Sequence, residues 1–221
     1  MKTLRKDAIL WIENTLFLKY GNMGWWPAES PDEVAIGAIL TQNTSWKNVE
    51  KSIAELRAFG MLDLNKLAAA DKDVLARLTR SSGFYNIKSA RLISISKAIL
   101  NEGGFSGLRR LPTESAEKFL LSLKGIGPET AESIMCYILE RNIFVIDKYT
   151  LRIFSRIGLD TSIPRLRIRE TVEFAIRDCV SLKNFHATLV KLAKDYCRST
   201  PICKGCPLEG SCEHAQRITS P

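Results

Sequence analysis

Apolar residues recur every three or four positions along most of the chain, which is the spacing of the buried face of an α-helix. Trp46, Val49, Ile53, Leu56 and Phe59 follow this spacing, and Gly60 stands where a helix commonly ends. A capping box, Ser30-Pro31-Asp32-Glu33, predicts the start of a helix with proline at its first position. Further helices are predicted over residues 67–78, 86–100, 113–123, 129–140, 148–157 and 166–180.

One short segment has the composition of a β-strand. Ile143-Phe144-Val145-Ile146 is apolar and rich in β-branched residues. Because it is short and stands between helical patterns, we interpret it as an extended connector that leads to Asp147 at the start of a helix. The pattern as a whole predicts an all-α protein.

Composition places the chain among ordinary globular proteins, with 45% hydrophobic and 25% charged residues in 221. No apolar run reaches membrane-spanning length, and the N-terminus lacks a signal-peptide core, so we expect a cytoplasmic protein. The formal net charge of +8 favours a polyanionic partner.

The positive charge is concentrated between Arg141 and Arg169, where seven basic and two acidic residues give a net +5. Lys148, Arg152 and Arg156 are spaced i, i+4, i+8 and form one stripe on a helix. The stripe suits a DNA backbone, although a solvated helix face would have the same pattern.

A tight turn between two predicted helices is formed by Lys124-Gly125-Ile126-Gly127-Pro128. Glycine permits positive φ and a close backbone approach to a ligand, and Ile126 can anchor the turn between its helices. Such a hairpin can offer backbone N–H groups to a DNA phosphate, or it can be a helix connection without a ligand.

Four of the six cysteines lie within sixteen residues, at positions Cys197, Cys203, Cys206 and Cys212. In a cytoplasmic protein such a group favours a metal over disulfides. Thiolates spread over a loop suit a [4Fe–4S] cluster, and zinc is the alternative.

The hairpin, together with Asp147 twenty residues after Gly127, resembles the helix–hairpin–helix DNA glycosylase superfamily, whose members remove damaged bases from DNA. Leu40-Thr41-Gln42-Asn43-Thr44 is similar to the segment that places a glutamine beside the extruded base. Gly83 to Ala90 is similar to the second DNA-contacting turn, with Phe84 as the wedge in the base stack.

The resemblance implies that Asp147 is the catalytic carboxylate, although an aspartate here can also serve simply as a helix N-cap. Bifunctional members place a lysine two residues after the second hairpin glycine, and this chain has Glu129 there. We expect Glu129 to face the DNA-binding cleft with Asp147 as the second catalytic residue. A carboxylate cannot form a Schiff base, so water is the predicted nucleophile. Lys148 is the obvious substitute amine, and we interpret it as a phosphate contact.

Trp25, Trp26 and Trp46 flank Gln42 in the sequence and can form a stacking pocket for a flipped base, or belong to the core. Electron-rich indoles favour a cationic alkylated purine. The Trp-Trp-Pro segment, Glu129 and Val145-Ile146-Asp147-Lys148-Tyr149 together resemble the type III 3-methyladenine DNA glycosylases. The cysteine loop is more typical of endonuclease III relatives, whose first cysteine interval is usually one residue longer.

The resemblance implies two helical lobes flanking a DNA-binding cleft. A six-helix barrel with the hairpin would span 22–133, and residues 1–21 and 134–221 would form the lobe with the iron–sulfur loop. We expect a monofunctional, nucleoid-associated monomer that acts on double-stranded DNA containing a damaged base, such as 3-methyladenine. Two alternatives stay open: an endonuclease III-like glycosylase and lyase for oxidised pyrimidines, and a non-catalytic DNA-binding module.

Overall fold

The structure is a computed structural model that describes residues 4–24 and 26–219. Over these residues it contains helices and no strand, so the all-α prediction is confirmed. None of the helices in this part of the chain is both long and apolar enough to span a bilayer. In chain order the α-helices are α1 (Lys6–Tyr20), α2 (Pro31–Leu40), α3 (Trp46–Ala58), α4 (Leu64–Ala69), α5 (Lys72–Leu78), α6 (Tyr85–Asn101), α7 (Gly104–Arg110), α8 (Thr113–Ser122), α9 (Pro128–Ser133), α10 (Lys148–Ile157), α11 (Arg165–Ala175), α12 (Cys179–Asp195) and α13 (Glu213–Thr219).

The chain divides into two compact units. Pro27–Arg141 forms one, here called the hairpin unit, and Met1–Trp26 with Asn142–Pro221 forms the other, here called the terminal unit. The sequence-based division placed the barrel at 22–133, and its description as a six-helix barrel stays a prediction.

Helix α2 lies at the centre of the hairpin unit because it is apolar on all sides. Eight of its ten residues are buried, and it packs against α3, α6 and α9. Its predicted start is confirmed, since the Ser30 hydroxyl accepts the Glu33 N–H at 3.2 Å. Glu33 reaches back to the Glu29 N–H at 3.0 Å, and Arg57 forms ion pairs with both glutamates.

Two predicted helices are each divided in the structure. The helix predicted over 67–78 is interrupted at Asp71, whose carboxylate accepts the N–H groups of Asp73 and Val74 and starts α5. The helix predicted over 166–180 ends at Ala175, and the Asp178 carboxylate caps α12 at the Ser181 N–H. In both cases the apolar spacing continues across the capping aspartate, so the spacing alone predicts one uninterrupted helix.

Two further helices differ from the predicted pattern. Helix α7 was not among the predicted helices: it begins directly at Gly104, and both Gly103 and Gly104 have positive φ. The helix predicted over 129–140 is α-helical to Ser133 and then becomes a π-helix over Ile134–Ile138. At the junction the Ser133 hydroxyl donates to the Glu129 carbonyl at 2.8 Å, a local bond that perturbs helix geometry.

The core of the terminal unit joins the two ends of the chain. Helix α1 packs on α11 and α12, and α10 packs on α12 and α13. The extended segment 143–146 runs through this core with every side chain buried. This packing fixes the position of Asp147, the next residue.

Candidate active site and DNA-binding segments

Asp147 is the N-cap of α10, as the sequence predicts. Its backbone is extended, and its Oδ1 accepts the Thr150 N–H at 2.7 Å. The residue is 7% exposed, so most of the carboxylate is withdrawn from bulk water. The preceding backbone is held by the Arg165 guanidinium, which donates to the Ile146 carbonyl. The carboxylate therefore has a fixed position and a small exposed edge.

The second oxygen of Asp147 faces a residue that the sequence motifs did not identify. Its Oδ2 lies 3.7 Å from Nε2 of His186, a residue of α12 that is 4% exposed. Burial acts to raise the pKa of Asp147, but the His186 imidazole and the Thr150 hydrogen bonds outweigh it, so the pKa falls below its usual value. His186 could have been noticed as a polar residue between apolar Phe185 and Ala187.

Only the first of the two hairpin glycines has the positive φ that favours glycine. Gly125 has φ +98°, and a Cβ there would lie 2.4 Å from Nε of Arg91. Gly127 has φ −96°, and a Cβ there would meet nothing within 4 Å. Ile126 is buried, as expected for an anchor, and Lys124 is exposed. The chain's own packing therefore explains glycine at 125 but not at 127.

Gln42 is tied to the hairpin through hydrogen bonds. Its Nε2 donates to the Gly125 carbonyl at 2.9 Å and to Oγ1 of Thr130 at 3.0 Å. Its Oε1 accepts from Nη1 of Arg91 at 2.7 Å. Both amide hydrogens are thus used inside the protein, so this arrangement gives Gln42 a role in holding the hairpin. Its predicted place in the base pocket stays a prediction.

Glu129 is exposed in the first turn of α9, two residues after Gly127. It belongs to the hairpin unit, whereas Asp147 belongs to the terminal unit. The two acids predicted to be catalytic are therefore carried by different parts of the fold.

Phe84, whose role as a wedge stays a prediction, is exposed and has an unusual backbone conformation. Its φ is +47°, a left-handed conformation that is uncommon outside glycine, and the residue is 63% exposed. Behind it the fully buried Lys88 donates from Nζ to the carbonyls of Leu40 and Ser82, each at 2.7 Å. Lys88 therefore connects the end of α2 to the Phe84 turn, a link that the sequence did not predict.

The tryptophans proposed for the base pocket are divided between the two units. Trp26 belongs to the terminal unit and Trp46, at the start of α3, to the hairpin unit, and both are half-buried. Trp25 lies outside the described residues.

Two residues of the basic stripe on α10 form hydrogen bonds inside the protein. Arg152 donates from Nε to the Cys197 carbonyl at 2.9 Å. Arg156 donates to the carbonyls of Arg198 and Ser199 at 2.5 Å and 2.9 Å, and its Nη1 lies 3.3 Å from Sγ of Cys197. Two of the three stripe residues thus hold the cysteine loop. Lys148 is exposed and lies over the Tyr149 ring.

The four loop cysteines are all free and half-buried, and three of them pack against the core of the terminal unit. Burial, with a smaller contribution from the neighbouring thiols, raises the pKa of Cys206 to about 11. Burial, Cys212 and Cys197 likewise raise the pKa of Cys203. Crowded thiols of this kind would need a bound cation to become thiolates together, which fits a metal cluster. Within residues 4–24 and 26–219, however, no three His, Cys, Asp or Glu side chains are already arranged to hold a metal ion.

Comparison with known proteins gives a family for the chain. Residues 36–177, more than half of the sequence, match the family model described as "HhH-GPD superfamily base excision DNA repair protein". A protein of Methanocaldococcus jannaschii, whose name classes it provisionally as a DNA repair glycosylase, is 40% identical over 96% of this chain and 99% of its own. The endonuclease III of Thermotoga maritima is 27% identical over 85% of this chain and 84% of its own.

Solved structures agree with this result. An H. pylori 3-methyladenine DNA glycosylase bound to 1,N6-ethenoadenine matches with a TM-score of 0.74 and 28% identity, covering 86% of this chain and 96% of that one. A trapped endonuclease III–DNA covalent intermediate matches with a TM-score of 0.81 over 97% and 99% of the two chains, and its 17% identity speaks for the fold alone. The chain therefore belongs to the HhH-GPD superfamily of base excision DNA repair proteins.

Proposed function

We propose that the protein is a monofunctional DNA glycosylase that hydrolyses the N-glycosidic bond of alkylated purines, with 3-methyladenine as the principal base released. The observation that carries the proposal is the pair of acids. Asp147 is a buried N-cap carboxylate whose pKa is lowered by His186 and the Thr150 hydrogen bonds, and Glu129 stands where bifunctional relatives have the attacking lysine. The substrate is double-stranded DNA with the damaged base extruded.

The proposed reaction uses the negative charge of Asp147. As the C1′–N bond of an alkylated purine nucleotide breaks, the bonding electrons neutralise the cationic base and positive charge develops at C1′. An anion held beside C1′ stabilises that charge. A water molecule then attacks C1′, its proton passes to the Asp147 carboxylate and on to solvent, and an abasic site and the free base are the products.

An alkylated purine fits this chemistry because its glycosidic bond is already weakened. It leaves as a neutral base and needs little acid assistance, which suits a carboxylate-based site. The half-buried indoles of Trp26 and Trp46 offer π faces that favour a cationic base. The similarity to the H. pylori 3-methyladenine enzyme supports the same substrate class.

DNA contact is proposed for the exposed part of the hairpin and for the Phe84 turn. The open space around Gly127 would let a phosphate approach the backbone closely, and Lys124 and Lys148 are exposed cations. Exposed Phe84 can enter the gap that an extruded base leaves in the stack.

A [4Fe–4S] cluster is proposed for the cysteine loop, with zinc as the alternative. Cys197, Cys203, Cys206 and Cys212 would hold it, and the cluster would supply structural support for the loop that carries Arg198 and Lys204. Iron and sulfide analysis of the purified chain tests this proposal, and about four irons per chain are expected. One zinc ion per chain in place of iron would favour the zinc alternative.

The test of the activity is base release. Methylated duplex DNA should yield free 3-methyladenine with the wild-type chain, and oxidised or deaminated bases presented in parallel should be retained. Release of an oxidised or deaminated base alone would reject the alkylated-purine assignment. Binding to damaged duplex with no release from any lesion would favour the non-catalytic module.

The second candidate is an endonuclease III-like enzyme for oxidised pyrimidines that also cuts the strand. The cysteine loop and the Thermotoga maritima relative favour it. Borohydride reduction during turnover distinguishes the two, because only an enzyme–DNA Schiff base is trapped. We expect no trapped adduct; an adduct that disappears in Lys148→Met would establish the lyase alternative instead.

A further inference from the structure

His186 is a buried histidine that the proposed reaction has not yet used. It lies on α12, is 4% exposed, and packs edge-on against Phe144 with ring centroids 6.3 Å apart. Phe144 in turn stacks on Phe185 at 5.5 Å. A buried histidine on an apolar helix is usually a core residue, but this one has a polar neighbour with a role in the proposed chemistry.

That neighbour is Asp147, whose two oxygens are held from different directions. Oδ1 accepts the Thr150 N–H at 2.7 Å, and Oδ2 lies 3.7 Å from Nε2 of His186. The first contact comes from α10 and the second from α12, at a residue 39 positions after Asp147. Together they restrict rotation of the carboxylate about its Cβ–Cγ bond. The N-cap contact alone would hold only one oxygen.

We propose that His186 is the positioning residue for Asp147, orienting its carboxylate and keeping it in the charged form. The inference rests on the proposed function, because orientation of Asp147 matters only if that residue acts at C1′. His186 itself is not expected to touch the DNA.

The other charged groups nearby are engaged with the backbone or with each other. On α11, Glu173 accepts the Phe144 N–H at 2.8 Å and pairs with Arg169 at 3.4 Å, and Arg165 donates to the Ile146 carbonyl. Exposed Lys148 starts α10. These groups fix the segment that leads to Asp147, whereas His186 faces the carboxylate itself.

Two substitutions separate orientation from charge. His186→Gln keeps an N–H donor near the Nε2 position but can carry no charge, and His186→Leu keeps neither. We expect His186→Leu to lower the rate of base release by about 100-fold, the scale of a misplaced catalytic group. We expect His186→Gln to recover most of that loss at neutral pH.

The pH profile tests the effect on charge. An N–H donor or a cation favours the ionised carboxylate, so removing His186 raises the pKa of Asp147. The acid limb of the base-release rate should therefore move to higher pH by about one unit or more in His186→Leu.

Thr188→Val is the control, since Thr188 is buried on the same helix and its hydroxyl donates to the Phe185 carbonyl. A uniform loss of rate with an unchanged acid limb would reduce His186 to a packing residue and overturn the proposal.

A measurement without substrate keeps this proposal separate from the proposed function. The chain has two histidines, so imidazole nitrogen NMR of the full chain gives two sets of signals. At neutral pH, Asp147→Asn should change the His186 resonances and leave those of His214 in place. Unchanged His186 resonances would overturn the pairing. If they change but the wild type releases no base from any lesion, the pairing stands and the proposed function fails.

Discussion

At the residue scale, Asp147 is held both by the cap of its own helix and by tertiary packing against α12. Asp147 was expected to cap a helix, and the structure confirms the cap because the reason lies in the three residues that follow. The contact with His186 could not be predicted, since it joins segments 39 positions apart through tertiary packing. The hydrogen bonds of Gln42 to Gly125 and Thr130 escaped prediction for the same reason.

The two hairpin glycines lead to a paired prediction. Gly125→Ala places a Cβ at positive φ and against Arg91, so we expect the free energy of unfolding to fall by roughly 1–3 kcal/mol. Gly127→Ala meets neither obstacle and should change it by no more than about 0.5 kcal/mol. Chemical denaturation measures both.

The same pair tests the hairpin as a DNA contact. If the backbone at Gly127 approaches a phosphate, Gly127→Ala should weaken binding to abasic duplex while leaving stability intact. If Gly127→Ala binds abasic duplex as tightly as the wild type, the backbone at Gly127 is not a DNA contact.

Lys88 gives a prediction for stability against pH. Burial, aided by Arg91, lowers its pKa from 10.5 to about 8. Between these values the unfolded chain binds more protons than the folded one, so this lysine makes stability rise with pH over that window. The free energy of unfolding of the wild type relative to Lys88→Met should therefore increase from about pH 8 to pH 10.5. A constant difference would show that Lys88 keeps its ordinary acidity.

At the element scale, the apolar period located most helices and missed where they are interrupted. Asp71 and Asp178 cap new helices inside apolar repeats, and the Ser133 hydroxyl precedes the change to a π-helix. Caps and side-chain bonds act over one turn, so a pattern averaged over several turns does not detect them. The basic stripe on α10 was also found, but its contacts with the cysteine loop depend on how α10 and that loop pack together.

These contacts predict a role for Arg156 in metal retention. Its guanidinium donates to two carbonyls of the cysteine loop and approaches Cys197. Arg156→Met should weaken metal binding by about 10- to 100-fold, as loss of supporting contacts does at other metal sites. The rate of metal loss to a chelator measures this, with Lys148→Met as the control on the same face of α10. Equal rates in the two variants would leave the arginine without a supporting role.

At the scale of the whole molecule, the all-α class followed from the apolar period, and the superfamily followed from the resemblance of the hairpin and Asp147 to its motifs. The two compact units did not follow from any linker, since the chain has none of distinctive composition, and they emerge only from packing. Asp147 lies in the terminal unit and Glu129 in the hairpin unit, so the two acids singled out from the sequence are carried by separately packed parts of the chain.

The role of Asp147 is tested by comparing the wild type with Asp147→Asn in the release of 3-methyladenine from methylated duplex DNA. This substitution keeps the shape of the side chain and removes its charge. We expect release by the wild type and loss of release in the variant, with DNA binding retained. Release at the wild-type rate from Asp147→Asn would show that Asp147 is not the catalytic carboxylate.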